Sequence, residues 1–260
     1  MKDWGTKWVR LGVMWEAVET APGVYNHTYL DEIDKLINKM GEYGIYTMVD
    51  AHQDLLSRKT CGEGVPSFYI PDNLENSCPF TPGGIFFRLA GRCKSIDKYN
   101  LRRDDKGLPL IEDCIKNPFA YYYTTPEVAS SFDALYKNVN GMQDKFWEFW
   151  KVVAERYSNN SYVIGYDPFN EPWPSNIYHD FSLFWNTHKF DSKINFPFLQ
   201  NAHKSIRSKD NQKVMFFEPA QFPDSFPMFG GIVSYVGFKQ TPGGPEYVNR
   251  EVLNDHLYCC

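Results

Sequence analysis

The 260-residue sequence lacks several features that would place it in common functional classes. It has no run of about 18 or more apolar residues, so no segment is expected to span a membrane. Its first residues, MKDWGTKWVRLGV, do not form a signal peptide. Acidic residues (32) outnumber lysine and arginine (27), and no large basic cluster occurs. A nucleic-acid partner is therefore not expected, because neutralising phosphates requires a basic face.

Paired CxxC motifs are also missing, although the sequence has six cysteines: Cys61, Cys78, Cys93, Cys114, Cys259 and Cys260. Without such pairs a zinc site is not indicated, and we expect neither a metal nor a cofactor. Four of the cysteines fall in one long segment, where disulfides are the favoured use. Glycosylation sequons at Asn26 and Asn159 agree with a secretory compartment. We therefore expect a secreted or lysosomal protein whose signal lies outside this sequence.

Aromatic residues are abundant, at 17% of the chain, with 7 Trp and 17 Tyr. Such a surplus can be ordinary core. Flat amphipathic rings also suit the apolar faces of sugars and the stems of lipids. The hydrophobic content of 43% is ample for a core in a chain of this length. Composition thus favours a globular protein and leaves sugar or lipid contact open.

Strand patterns alternate with helical ones along the chain. Short apolar runs predict strands over residues 8–15, 45–49, 162–169, 213–217 and 252–258. Helical periodicity lies between them, in residues 28–40, 146–157 and 197–207. The first helix is predicted to start at a capping box of Thr28 and Asp31. This alternation implies a parallel α/β sheet, interpreted as an incomplete (β/α)8 TIM barrel with about strands two to six present.

Residues 54–130 form an irregular stretch far longer than an ordinary connection and contain four of the cysteines. The stretch leaves a strand at its carboxyl end. We expect it to lie over the active face as a lid or binding wall held by disulfides. The alternative is a disordered insertion.

Polar motifs stand where the predicted strands end: DAHQD at residues 50–54, GYDPFNEPW at 165–173, and FFEP at 216–219. In a (β/α)8 barrel this is the face where chemistry is built. A bare Asn-Glu-Pro triplet is weak support on its own, because a lone Glu at a strand end is most often a helix cap or a solvent-facing charge. Several polar strand ends together favour a site.

The order of these motifs resembles glycoside hydrolase family 5 of clan A, whose barrels carry a strand-end His, an Asn-Glu pair and a later His-x-Tyr. The likeness is closer still to the endoglycoceramidases of that family, on VRLGVMWEAVETAPGVYN, VDAHQDLLSR, GYDPFNEPW, FFEP and NDHLYCC. It implies a retaining hydrolase that cleaves the β-glycosidic bond between oligosaccharide and ceramide. A glycosphingolipid substrate leaves room for transient contact with a membrane or micelle surface. The alternatives are another family 5 β-glucosidase or glucanase, or a non-catalytic carbohydrate- or lipid-binding barrel.

The resemblance also implies roles for individual residues. Glu171 matches the acid/base, and Asn170 would hold the sugar 2-hydroxyl. His52 and Asp54 match positions that grip sugar hydroxyls. The alternatives for these two are a structural hydrogen bond and a helix cap.

Other strand-end residues have less definite roles. Trp173 is a candidate stacking platform for sugar, or a wall of a lipid channel, against plain packing. His256 should lie beside the same sugar, and Tyr258 should position the nucleophile unless it is an ordinary aromatic strand residue. Arg10, inside an apolar strand, must be paired. It is predicted to steady an active-site carboxylate or to bridge strands.

The nucleophile is not found by this reasoning. In the clan it ends the seventh strand and the acid/base ends the fourth. Counting from Glu171, the sequence stops before a seventh strand. The expectation is an internal piece of a longer enzyme, inactive alone, whose nucleophile lies outside the chain. Glu218 is a candidate by residue type only, and we interpret it as a hydrogen-bonding carboxylate.

Overall fold

The computed structural model describes residues 1–220 and 236–256. Within them the chain forms seven strands, named in chain order: β1 (Trp8–Gly12), β2 (Glu19–Ala21), β3 (Val24–Tyr25), β4 (Tyr46–Asp50), β5 (Val163–Asp167), β6 (Val214–Phe217) and β7 (Glu251–Leu253). Five of them form one parallel sheet in the spatial order β1-β4-β5-β6-β7. β2 and β3 pair as a separate antiparallel hairpin. The prediction of a parallel α/β sheet is confirmed.

The same residues contain eight α-helices: α1 (Trp15–Val18), α2 (His27–Glu42), α3 (Pro82–Leu89), α4 (Ile111–Cys114), α5 (Pro126–Tyr136), α6 (Met142–Tyr157), α7 (Thr187–Phe190) and α8 (Phe196–Arg207). A short π-helical segment, Asp191–Asn195, joins α7 to α8. The three predicted helices correspond to α2, α6 and α8. The hairpin and α5 were not predicted. No described helix is both long and apolar enough to cross a membrane.

The register of the sheet brings its polar strand ends to one edge. Gly12 at the end of β1 is opposite Asp50 at the end of β4, and Asp50 is opposite Asp167 at the end of β5. Parallel strands ending in register put the side chains that follow them side by side. The carboxyl edge of the sheet is therefore the place where the polar motifs meet, as predicted.

The predicted start of α2 is wrong. The cap is Asn26, whose side-chain oxygen accepts a hydrogen bond from the Tyr29 amide at 3.1 Å, so the helix starts at His27 rather than after Thr28. Asp31, the expected partner in the capping box, instead bonds Arg156 of α6 at 2.5 Å. An Asn cap satisfies the same free amides as a Thr cap. The Asp31 carboxylate, which local spacing assigns to the cap, is instead used in the contact between α2 and α6.

Helix α6 carries the predicted aromatic stripe into the core. Phe146 and Trp150 are buried, and Trp147 packs on Phe198 of α8 with ring centroids 4.7 Å apart. Burial of a large apolar side chain stabilises the fold by about 1.5–3 kcal/mol. The Trp150 indole also donates to the Pro168 carbonyl at 3.0 Å. This bond ties the helix to the turn that follows β5.

The bounds of all five sheet strands differ from the prediction, most at the ends of the first and last strands. The first strand stops at Gly12 because Trp15 already begins α1, where its indole donates to buried Glu19 at 2.6 Å. The last strand is Glu251–Leu253 rather than residues 252–258. Residues 257–260, with Tyr258, Cys259 and Cys260, lie outside the described part of the chain.

The long segment after β4 is ordered by short helices and two disulfides. It contains α3 and α4, and it ends where α5 begins at Pro126, four residues before the predicted boundary. The described cysteines pair as Cys61–Cys114 and Cys78–Cys93, the second pair nested inside the first. The prediction that these four pair among themselves is confirmed. We call residues 54–125 the insertion.

Candidate active site

Arg10 of β1 forms the centre of a buried charge cluster at the carboxyl edge of the sheet. Its Nε donates to Asp167 Oδ2 at 3.0 Å, and its Nη2 contacts Asp50 Oδ1 at 2.9 Å and Glu218 Oε1 at 2.7 Å. The three carboxylates are buried and come from the ends of β4 and β5 and the residue after β6. Arg10 therefore bridges strands and holds carboxylates at once, so both predicted alternatives describe it.

One guanidinium cannot neutralise three carboxylates, and the excess negative charge affects proton binding. Burial, with the nearby Asp167 carboxylate adding to it, raises the pKa of Asp50 to about 6. Burial and Asp167 also raise the pKa of Glu218 well above its ordinary value. Such a cluster is stable only if further donors reach it.

His52 is the first of these donors. Its Nδ1 lies 2.8 Å from Asp50 Oδ2, and its Nε2 lies 3.3 Å from Asp54 Oδ2. The hydrogen bonds to Asp50 and Asp54 raise the pKa of His52 to about 10, so the ring is protonated at neutral pH. The structure brings the predicted pair His52 and Asp54 together. Their contact with a sugar stays a prediction.

The turn after β5 presents Glu171 to this edge. Glu171 has a left-handed backbone, with φ of 42°. Its amide donates to Glu218 Oε2 at 2.7 Å, and Gln53 Nε2 donates to the carbonyls of Asn170 and Glu171 at 2.7 and 3.3 Å. An uncommon conformation persists only where neighbours hold it. These bonds fix the direction of the Glu171 side chain.

His256 links the Glu171 side chain to the buried cluster. Its Nδ1 lies 2.8 Å from Glu171 Oε1, and its Nε2 lies 3.2 Å from Glu218 Oε1. The hydrogen bonds to Glu171 and Glu218 raise the pKa of His256 to about 10. A protonated ring thus stands beside the Glu171 carboxylate. The positive charge favours the ionised form of the Glu171 carboxyl group, which is the form that accepts a proton as a base.

Glu218 is enclosed. One of its oxygens faces Arg10, His256 and Asn254, whose Nδ2 is 3.3 Å away, and the other accepts the Glu171 amide. The residue is 1% exposed. A carboxylate with both oxygens engaged and no open face is poorly placed to attack a substrate. Its surroundings agree with the interpretation of Glu218 as a hydrogen-bonding carboxylate.

The other predicted residues of the turn are mostly covered. Asn170 is buried and donates to the Gln53 carbonyl at 2.8 Å, while its Oδ1 accepts no hydrogen bond from any described residue. Trp173 is 5% exposed and lies beneath the Tyr123 ring, with centroids 4.8 Å apart. Sugar contact by either residue stays a prediction.

Several residues of the site were missed from the sequence. Tyr123 comes from the insertion, and its hydroxyl donates to Asp54 Oδ1 at 3.2 Å. Asn254 donates to Asp167 Oδ2 at 2.9 Å. Asp50, Asp167 and Asn254 lie inside the motifs VDAHQDLLSR, GYDPFNEPW and NDHLYCC, so their position at strand ends could have identified them. Nothing in the sequence connects Tyr123 to Asp54, because the intervening chain has no regular period.

A group of three potential metal ligands also lies here. One ligand atom each from His52, Asp54 and Glu63 falls within 4.8 Å of the others. His52 already uses both ring nitrogens, Nδ1 towards Asp50 and Nε2 towards Asp54. We therefore interpret the group as a hydrogen-bonded cluster.

The two raised histidine pKa values predict that stability falls as the pH rises. His52 and His256 have an ordinary pKa of 6.5 and a folded-state pKa of about 10. The stability from their bound protons is fully present below about pH 6.5 and is lost as the pH rises towards 10. Urea unfolding across this range should show a falling midpoint. The variant His52→Gln/His256→Gln should show a flatter profile, and an equal slope in both proteins would contradict the assignment.

The chain is similar in sequence to known proteins. A family model described as Cellulase (glycosyl hydrolase family 5) matches residues 1–76 and 122–247, so the gap between the two matched parts falls within the insertion. Endoglycoceramidase of Cyanea nozakii is 35% identical over 258 residues, which are 99% of this chain and 46% of that protein. Endoglycoceramidase of Hydra vulgaris is 33% identical over 261 residues, which cover 99% of this chain and 45% of that protein. The chain spans about half the length of these curated relatives.

The fold has a solved counterpart. The lactosyl-enzyme intermediate of endo-glycoceramidase II from Rhodococcus sp. matches with a TM-score of 0.70 at 22% identity, covering 98% of this chain and 49% of that one. With the parallel sheet, this likeness confirms the predicted barrel class, five strands of which lie in the described residues. The family match extends over more than half of the chain. The polar strand ends predicted from the sequence meet at one edge of the sheet. The chain therefore belongs to glycosyl hydrolase family 5.

Proposed function

We propose that this protein is a retaining glycoside hydrolase that cleaves the β-glycosidic bond between oligosaccharide and ceramide in glycosphingolipids. The observation that carries the proposal is the position of Glu171, held at the carboxyl edge of a family 5 sheet with His256 at 2.8 Å from its carboxylate. The ceramide part rests on the two relatives named endoglycoceramidase, which align with 99% of the chain.

Cleavage of an acetal through an oxocarbenium-like state needs a carboxylic acid that protonates the leaving oxygen. We assign this step to Glu171. It transfers its proton to the ceramide oxygen as the bond to the sugar breaks, and later takes a proton from the water that releases the glycan. The contact between His256 and Glu171 holds the carboxyl group in position through both steps.

A retaining reaction also needs a carboxylate that attacks the sugar from the opposite side. Glu218 is the carboxylate most directly tied to Glu171, but its oxygens are occupied by Arg10, His256 and the Glu171 amide. We propose that the nucleophile is a carboxylate outside residues 1–220 and 236–256.

His52 and Asp54 are proposed to bind the hydroxyls of the sugar next to the scissile bond. A chain of contacts runs outwards from buried Asp50 through the His52 ring to the more exposed Asp54. A protonated imidazole donates, and a carboxylate accepts from hydroxyl groups. Tyr123 fixes one oxygen of Asp54 and so limits the directions in which it can accept.

A secretory or lysosomal location is proposed as well. It is supported by the pairs Cys61–Cys114 and Cys78–Cys93, because such disulfides persist in oxidising compartments.

The test compares two substrates with the protein expressed from its complete gene. We expect release of intact oligosaccharide and ceramide from a ganglioside, and little hydrolysis of a cello-oligosaccharide of equal concentration. Mass spectrometry of both products identifies the bond cut. Preferred cleavage of the cello-oligosaccharide would support a glucanase instead. Binding without hydrolysis of either substrate, by a folded protein, would support a non-catalytic barrel.

A further inference from the structure

The segment around α3 presents large apolar side chains to solvent. Phe80 is 87% exposed and Leu89 is 85% exposed, at the two ends of the helix, and Ile85 and Phe86 are also exposed between them. We call these four side chains the α3 surface. Isolated apolar residues on a surface are common, but three on one short helix, with Phe80 two residues before it, need an explanation.

The helix that carries this surface is firmly anchored. Phe87 is buried, with its ring 4.9 Å from Phe184 and 5.5 Å from Tyr178. A side chain at Gly83 would meet the Ile177 carbonyl at 2.6 Å, so backbone contacts backbone there. The Cys78–Cys93 disulfide closes the segment on both sides of the helix. The α3 surface is therefore exposed on an ordered element with its other face in the core.

The charge of the same segment has one sign. Residues 78–94 contain three cations and no acidic residue, in a chain whose net charge is −5. Arg92 lies over the Tyr121 ring at 3.9 Å, and Lys94 lies over the Tyr99 ring at 4.1 Å. Neither these two nor Arg88 forms an ion pair with a carboxylate in the described part of the chain. Three cations thus lie close to the apolar side chains along the chain, all within five residues of Leu89.

The α3 surface continues towards the segment that follows the Glu171 turn. Phe86 lies 5.0 Å from Phe181, which in turn contacts the partly exposed Trp185 at 4.4 Å. The insertion that carries α3 also supplies Tyr123 to Asp54. The insertion therefore contacts the candidate active site through Tyr123 and carries the α3 surface on the same stretch of chain.

We propose that the α3 surface docks on a lipid bilayer that contains anionic lipid. Apolar side chains on a short helix bordered by cations are the composition of an element that lies in the membrane interface. Eight residues are too few to span a bilayer, so α3 would lie along it. A second copy of this chain is a poorer occupant, because two such surfaces would bring six like charges together. If the proposed function holds, docking would bring the carboxyl edge towards membrane-borne glycolipid.

The test is co-sedimentation of the complete, disulfide-bonded protein with vesicles that contain no glycolipid, so that hydrolysis plays no part. Phosphatidylcholine vesicles with about a third phosphatidylserine should pellet the protein, and added salt should weaken binding. Phe80→Gln/Leu89→Gln should lower the partition coefficient at least about tenfold, since both apolar side chains leave the bilayer. Arg92→Gln/Lys94→Gln should lower it about tenfold on these vesicles and little on pure phosphatidylcholine.

The matched control is Trp4→Gln, which removes an equally exposed aromatic (85%) from the segment before β1. It should bind vesicles like the unmodified protein, and circular dichroism should show the same fold in all variants. The proposal is overturned if the unmodified protein does not pellet, or if Phe80→Gln/Leu89→Gln pellets equally well. It is also overturned if light scattering shows a dimer that this double variant abolishes, since the occupant is then a second copy.

Discussion

Glu171→Gln should reduce kcat on a natural glycolipid by about a thousandfold or more, because a carboxamide cannot protonate the ceramide oxygen. The backbone of residue 171 is held by Gln53 and Glu218 through its own carbonyl and amide, so the turn should survive the substitution. The measurement is steady-state hydrolysis by the complete protein, with the melting temperature as a check on folding. Glu155→Gln, which alters an exposed carboxylate paired with Lys209, is the control and should retain most activity.

The role of Glu171 can be separated from a general loss of function. An aryl glycoside with a good leaving group needs little protonation, so its glycosylation step should suffer far less in Glu171→Gln. Added azide should restore part of the turnover, because it attacks the glycosyl-enzyme without help from a base. An equal loss on both substrates without rescue by azide, in a folded variant, would remove Glu171 from the acid/base role.

Arg10→Met should lower the free energy of unfolding at neutral pH by about 3–5 kcal/mol, since it leaves buried carboxylates without their cation. The three affected groups are Asp50, Asp167 and Glu218. Arg156→Met is the matched control. That arginine also bonds two aspartates, Asp31 and Asp34, but at the outer surface between α2 and α6, where a pair contributes about 1 kcal/mol or less.

The cost of Arg10→Met should depend on pH in a defined direction. The pKa of Asp50 is already raised to about 6 with Arg10 present, and the pKa of Glu218 is raised too. Loss of the guanidinium raises them further, so both groups take up protons as the pH falls from 7 towards 5. The difference between variant and unmodified protein should therefore shrink with acidification. Denaturant titrations at both pH values measure it, and a constant difference would mean that lost packing, not charge, is responsible.

The sheet could be predicted from the sequence because short-range residue patterns determine its strands and helices. Apolar runs at β4, β5 and β6 alternate with helices whose apolar residues recur with helical spacing, and parallel pairing follows from that alternation. Arg10 was also predictable in part, since a guanidinium inside an apolar strand must be paired. Which carboxylates pair with it depends on the register of three strands, and sequence alone does not give that register.

The insertion could not be predicted to the same extent. Its helices α3 and α4 are short, and disulfides and contacts with other segments stabilise them rather than their own periodicity. Contact between Tyr123 and Asp54 joins residues separated by 69 positions, through a chain without a repeating pattern. Trp173 illustrates the same limit, because the ring that covers it belongs to Tyr123. Motifs thus located the strand-end residues, while tertiary packing decides which of them meet a ligand.

The left-handed backbone of Glu171 links the proposed catalytic role of this residue to the stability of the turn. A non-glycine residue in this conformation costs about 1–2 kcal/mol, and Gln53 and Glu218 sustain it. Glycine adopts the same conformation without that cost. Replacing the acid with glycine would remove the backbone cost but also the contact between Glu171 and His256. The turn therefore keeps an uncommon conformation at the position where the side chain is needed.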